Sequence, residues 1–499
     1  MSSTGLEVSE RRGVGANISA LAGGQVVTWS MSLAWTLVVS RLLGPAGMGL
    51  LVTATSVTAI AGVLLGLGAR DFLVREIVAN RLDGLRLAGS TIVLRAGLFP
   101  LYAAAVVAYG RYAHLSAEAR TVLYLEAGAT MLILLKEPLQ ATFQGIERMQ
   151  YLALGDIFDT TTRSLVGIGL AVLGFGAVGL TAASLVIGGA TMTLYVRWIR
   201  RQVRIDLRTN FARIRGLVTG SLPYWAFGVF FMTYLWIDSA MLAAMTRPEV
   251  VGWYGVPTKL FTTLMFAPAI LSMAWLPRLV SAFEEDRGRL FAVAKAPVEL
   301  VVVGAAPIAV LAAMLAHSVI PLLFGQGYRN AVPVMVVLGL CLPPTYLNIM
   351  LNQVLVAAKR PLVWTWLMAG ATAVNPVLNF FLIRFAQNHY HNGAIGAALA
   401  LLATEVLVLA GGFLMVGRHV LDRSSLWRFA RAAAAAAAMG GVIYALRPLG
   451  FVVAAAAGGL VYVGLAALLR LASAEEVEML RAGLHTVRAG IRRRTPGQR

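Results

Sequence analysis

The chain has 499 residues, of which 59% are hydrophobic and only 13% charged, with a formal net charge of +19 and a mean hydropathy of +0.76. Soluble domains carry about 25% charged residues, so this composition excludes a soluble enzyme, a secreted disulfide scaffold and, despite the positive charge, a soluble nucleic-acid binder. The one cysteine, Cys341, has no partner for an internal disulfide. What remains is a chain whose solvent is mostly hydrocarbon.

A spanning helix needs about 20 mostly apolar residues, and fourteen such windows follow one another along the sequence. The first, 18–40, is too long for a signal-peptide core and has no clear small-residue cleavage site, so it reads as an uncleaved span. The turn RLLGPAGMG leads into 46–68, and Arg70 and Arg75 follow that span. Window 87–109 holds Arg95, 120–144 holds Glu126 and Lys136 beside Pro138, and 152–174 holds Asp156, Asp159 and Arg163. Window 177–197 completes six and leads into a basic linker with Arg200, Arg201, Arg204, Arg208, Arg213 and Arg215. Beyond it, 219–244 holds Asp238, 253–277 holds Lys259, and 294–316 holds Glu299. Windows 331–357, 362–383 (with Asn375-Pro376) and 393–415 (with Glu405) complete a second six, and 427–446 and 449–470 are left over. In the tail, Ser473 and Glu476 form a capping-box pattern, and Val477, Leu480, Leu484, Val487 and Ile491 recur at spacings of three and four. That pattern predicts an amphipathic helix on the membrane surface.

Charge supports this count. The termini and the even-numbered connections hold 31 of the 42 Lys and Arg, and the odd-numbered connections hold seven. By the positive-inside rule both termini are cytoplasmic. The predicted organisation is a first lobe at 1–200, a linker at 201–218, a second lobe at 219–416, two further helices over 417–471 and a cytoplasmic tail at 472–499. A short repeat supports two related halves: Pro45 to Gly49 and Pro248 to Gly252 are both P-x-x-x-G, and QGIERM (Gln144 to Met149) and VAAKRP (Val356 to Pro361) close corresponding spans. Six helices per half makes the repeats parallel.

Ionisable groups inside spans are functional candidates, because hydrocarbon tolerates them only when they are paired or wetted. Arg95, Lys136, Arg163 and Lys259 together suit an anionic head group, although Arg95 can also snorkel and Arg163 can pair with Asp159 four residues earlier. Asp238 and Lys259 lie at similar depth on adjacent helices, which fits either a register-fixing ion pair or a gate. Glu405, far inside its window, is a candidate proton or cation site. No metal-ligand spacing, phosphate-binding loop, nucleophile elbow or dinucleotide fingerprint occurs, so neither a cofactor nor a catalytic residue is expected. The short outward connections argue against a glycosyltransferase with a large external domain.

The strings SRLLGPAGMGLL, GLGARDFLVREIV, QGIERM, YLWIDSAML and VGWYGVPTKL resemble the bacterial polysaccharide exporters, the oligosaccharide-lipid flippases of the multidrug/oligosaccharidyl-lipid/polysaccharide export superfamily. The resemblance implies an all-α protein of about fourteen spans in a V-shaped, alternating-access arrangement in the bacterial cytoplasmic membrane. It implies a polyprenyl-diphosphate-linked sugar as substrate, membrane lipids as surroundings and cell-surface polysaccharide assembly enzymes as partners. It also assigns Asp238, Gly252, Tyr254 and Lys259 to the family's helix 7 and 8 pattern, and Arg70 and Arg75 to its basic exit from helix 2. The alternatives are a cation-coupled multidrug exporter, which typically keeps a carboxylate in its first helix where 18–40 has none, a lipid scramblase, and a membrane-embedded glycosyltransferase.

Overall fold

The computed structural model describes residues 14–66 and 68–471, and all of their regular structure is helical. In chain order the helices are α1 (Val14–Gly66), α2 (Ala69–Ala79), α3 (Arg81–Tyr112), α4 (Ala117–Gly145), α5 (Met149–Val172), α6 (Gly176–Gln202), α7 (Phe211–Met245) and α8 (Pro248–Leu264). They continue as α9 (Phe266–Glu285), α10 (Arg287–Phe324), α11 (Val332–Ala357), α12 (Pro361–Tyr390), α13 (Gly393–Gly412), a single turn α14 (Arg418–Val420), α15 (Arg423–Ala445) and α16 (Phe451–Leu468). The amphipathic helix expected in the tail lies outside the described residues.

Each of the fourteen apolar windows falls on this helical framework, the first two on the arms of α1, which turns at Gly44. Gly44 has φ 67°, a left-handed conformation open chiefly to glycine, and Pro45 then starts the second arm. By length and composition nine helices among the described residues can cross a membrane, ten if the bent pair Pro248–Ser272 and Trp275–Glu285 counts as one span. The criterion leaves out α4, α5 and α15. α4 and α5 carry Glu126, Lys136, Asp159 and Arg163, so their charge is the reason a hydropathy window passes over them and also the reason they matter below.

The chain forms two compact units. The first runs to Val256 and includes 323–328 and 379–394; the second comprises 257–322, 329–378 and the rest from Ile395. In the first, the two P-x-x-x-G motifs meet reciprocally: a side chain at Gly49 would overlap the Pro248 carbonyl, and one at Gly252 would overlap the Pro45 carbonyl. The turns after α4 and α11 also match, with Glu147 at φ 59° and Lys359 at φ 57°. In each, an N–H reaches back five residues, from Arg148 to Phe143 and from Arg360 to Leu355. Such caps recur at other helix ends, so the reciprocal glycines carry more of the evidence for the repeat. The basic linker lies within the first unit. Its extended backbone passes so close to α3 that a side chain at Gly89 would overlap the Asp206 carbonyl, and Thr209 Oγ1 donates to Ser90 Oγ at 2.9 Å. Arg200, Arg201, Arg204 and Arg208 remain exposed along it.

In the second unit, α15 and α16 pack on α10 through Ala432, Ala435, Ala436, Met439 and Ile443, small side chains that permit close helix approach. Tyr462 Oη donates to the Val303 carbonyl at 2.5 Å. Glu299 of α10 accepts from Ser425 and Arg428, each at 2.5 Å, and ties α10 to α15.

Candidate functional site

The heptad-like spacing of α5 places Asp156, Asp159 and Arg163 on one face, at steps of three and four residues. α4 and α6 supply their partners. Arg163 donates to both Asp159 oxygens at 3.2 and 3.3 Å, so the intrahelical pair expected from the spacing is formed. Lys136 Nζ lies 3.7 Å from the same carboxylate and 5.8 Å from the centre of the Tyr195 ring. Thr191 Oγ1 adds a hydrogen bond to Asp159 at 2.9 Å. One turn earlier, Asp156 accepts from Gln140 at 3.1 Å and is attracted by both Lys136 and Arg70. Gly155 makes this possible, because any side chain there would overlap the Tyr195 hydroxyl.

Two sequence-predicted cations, Lys136 and Arg163, thus share Asp159, with Asp156 one turn away on the same helix. Access is graded: Lys136 is buried, Asp159 and Arg163 are partly exposed, and Arg70 and Asp156 are exposed. Lys136 and Arg163 are held at 3.7 and 3.2 Å by Asp159, so the cluster is already charge-paired in this structure.

Arg95 stands apart from this cluster. It is fully buried, and its guanidinium donates to the carbonyls of Leu65, Gly66 and Leu134 and pairs with Glu137 at 2.6 Å. The carbonyls of Leu65 and Gly66 end α1, where no further turn of that helix supplies donors. Arg95 therefore braces the break between α1 and α2 against α4. Arg75 lies on the exposed side of α2 and pairs with Glu76 at 3.3 Å.

Asp238, buried on α7, accepts from Tyr254 Oη at 2.9 Å and from Asn379 Nδ2 at 2.6 Å. Lys259 follows Pro257 and belongs to the second unit, where its carbonyl accepts from Thr262 and Thr263. Glu405, also buried, accepts from Asn348 Nδ2 at 2.8 Å. Sequence reasoning did not single out Glu137, Gln140, Tyr195, Asn348 or Asn379. For Glu137 the signal was present, since it adjoins Lys136. The others are neutral polar residues, and a single one inside an apolar window is unremarkable until its partner is known.

Comparison with known proteins first defines a class. The fold matches the lipid II flippase MurJ in its inward closed conformation with a TM-score of 0.73 at 12% identity, over 91% of this chain and 98% of that one. It matches an inward-facing multidrug resistance MATE family transporter of the MOP superfamily with a TM-score of 0.64 at 16% identity, over 81% and 98%. An outward-facing MATE family transporter of that superfamily gives 0.52 at 15% identity, over 81% and 95%. The chain is thus a multi-pass membrane protein with the fold of the MOP superfamily. The model of the polysaccharide biosynthesis protein family matches residues 38–333, and the chain belongs to that family. Among curated protein sequences none matches significantly.

Proposed function

We propose that this protein moves a polyprenyl-diphosphate-linked oligosaccharide from the inner to the outer leaflet of the bacterial cytoplasmic membrane by alternating access, with both termini cytoplasmic. The observation that carries the reading is the gathering of Lys136 and Arg163 on Asp159, beside Asp156, in a chain of a polysaccharide biosynthesis family. The phosphates displace Asp159 from Lys136 and Arg163 on loading, and Asp159 takes the cations back on release. An exchange of this kind keeps the buried charges paired in both states, which matters because an unpaired buried charge costs several kcal/mol. Arg70, exposed at the start of α2, makes the first contact. Asp238, which accepts from Tyr254 and Asn379, and Glu405, which accepts from Asn348, are the groups that couple transport to an ion gradient, and Lys259, in the second unit, is a separate candidate for phosphate binding.

The test uses purified protein in vesicles containing a fluorescent polyprenyl-diphosphate sugar, with quenching of outer-leaflet label as the readout. Protein-dependent translocation of that lipid, without movement of bulk phospholipid or ethidium, supports the reading. Ethidium transport alone would make the protein a multidrug exporter, and indiscriminate lipid movement would make it a scramblase. A reporter fused after Arg499 should be cytoplasmic and one inserted near Pro248 should be external; the opposite result would reverse the direction of every step.

A further inference from the structure

Next to the charge cluster, and sharing Arg163 with it, lies a cavity of about 170 Å³. Its lining includes Trp35 and Thr55 from the two arms of α1, Glu126 from α4, Arg163 from α5, and Thr181 and Ser184 from α6. The space is far larger than a single water needs and admits a small ring. Gly167 keeps it shaped: a side chain there would come within 2.6 Å of Trp35 Nε1 and drive the indole from its place.

The polar groups are matched in sign. Glu126 and Arg163 both line the cavity, and Arg163 also donates to Asp159 and to the Ser184 carbonyl. A bare phosphate would face the Glu126 carboxylate and a bare cation would face the Arg163 guanidinium, so each is met by a like charge. An uncharged polyhydroxylated ring has no such conflict. Its neighbouring hydroxyls can donate in pairs to a carboxylate and accept in pairs from a guanidinium fork, and Thr55 and Ser184 add single hydroxyl partners. Thr181 already donates to the Ala177 carbonyl at 2.6 Å, so its oxygen is left to accept. The indole supplies a flat apolar wall for the C–H face of the ring, the usual division of a small-molecule pocket into apolar wall and a few polar groups.

We infer that this cavity is a subsite for one neutral sugar ring, lined by Trp35, Glu126, Arg163, Thr55 and Ser184, and that Arg163 joins it to the phosphate-exchanging cluster. The inference rests on the flippase reading for its biological ligand, but binding of a sugar here is measurable without transport.

Two measurements keep the inference and the flippase reading separate. In the first, the full-length protein in detergent is titrated with methyl glycosides of glucose, galactose, mannose, N-acetylglucosamine and glucuronic acid, and with inorganic diphosphate, by saturation-transfer NMR. At least one neutral glycoside should bind in the millimolar range expected for so small a ligand. Trp35→Ala and Glu126→Gln should weaken it at least tenfold, Trp35→Phe should keep part of it, and Arg75→Ala should leave it unchanged. Gly167→Ala, which displaces the indole without removing a contact group, should behave like Trp35→Ala while the protein remains folded by size-exclusion chromatography. Binding of none of the neutral glycosides, or binding indifferent to Trp35 and Glu126, would overturn the subsite. In the second, vesicle translocation is compared for a polyprenyl diphosphate with and without its sugar. Trp35→Ala should slow the glycosylated lipid about tenfold and spare the bare one. Equal slowing of both overturns the subsite while leaving the flippase intact; failure of wild-type protein to move either lipid rejects the flippase reading, and the glycoside titration still decides the cavity.

Discussion

Arg95 and Arg163 are the same residue type inside the same unit, yet they are held in opposite ways. Arg95 is fully buried and spends its donors on three backbone carbonyls and Glu137. Arg163 keeps 28% of its side chain exposed, is held mainly by a carboxylate, and lines a cavity. Backbone carbonyls cannot leave, so the first arrangement is a brace. A carboxylate side chain can turn away and leave its cation to a ligand, so the second is exchangeable. Both charges are paired, and they differ in what their partners are made of.

The largest expected effect is at the brace. Arg95→Ala leaves Glu137 without its cation and three carbonyls without their donor, and removal of one member of a buried pair typically costs about 3 to 5 kcal/mol. Thermal unfolding in detergent and the monodisperse fraction on size exclusion should both show it. Arg95→Lys should recover little, because a single ammonium cannot reach around the fork that connects α1, α3 and α4. Wild-type melting with lost translocation in Arg95→Ala would break the comparison and return Arg95 to the ligand site.

At the exchangeable site the order of effects reverses. Lys136→Ala and Arg163→Ala should lower translocation more than stability, by roughly 10- to 100-fold, the worth of one hydrogen bond to a charged group at about 1.5 to 3 kcal/mol. Asp159→Asn sharpens the contrast further, because it removes the competitor and keeps the shape. Diphosphate binding should tighten in that variant while translocation falls, since release is the step that needs the carboxylate. Weakened diphosphate binding in Asp159→Asn would mean that the pair orients the site and does not exchange.

These two sites were not equally legible in the sequence. The Asp159–Arg163 pair follows from a spacing of four on one helix, and the paired P-x-x-x-G motifs found each other across 203 residues because glycine and proline mark close approach by themselves. The three carbonyl partners of Arg95 lie 29 to 39 residues away, and backbone atoms carry no residue-specific signature. Asn379 is 141 residues from Asp238, and nothing local to either announces the hydrogen bond. The helix framework was readable from apolar windows, α4 and α5 included; a stricter limit on charge passes over these two, whose charges pair inside the protein.

The smallest effect belongs to a third charge pair, which extends the comparison to a more exposed site. Asp422 caps α15, accepting from Ser425 N at 2.9 Å, and its carboxylate meets Lys295 Nζ at 2.5 Å. The Lys295 ammonium, helped by Ser424 and the capping N–H, holds the Asp422 carboxyl far below its ordinary value of 3.8. Asp422→Asn preserves the cap, since asparagine serves as well there, and removes only the charge. A depressed carboxylate stabilises the fold above its unfolded pKa, and that contribution is lost as pH falls through the folded one. The difference in melting temperature between the protein and Asp422→Asn should therefore stay level from neutral pH down to about pH 4 and close only in stronger acid. Because both side chains reach solvent, it should also be slight, and added salt should shrink it. A difference as large as that of Arg95→Ala, or one indifferent to salt, would mean that exposure does not grade these pairs, and the distinction between brace and exchange site would then rest on partner chemistry alone.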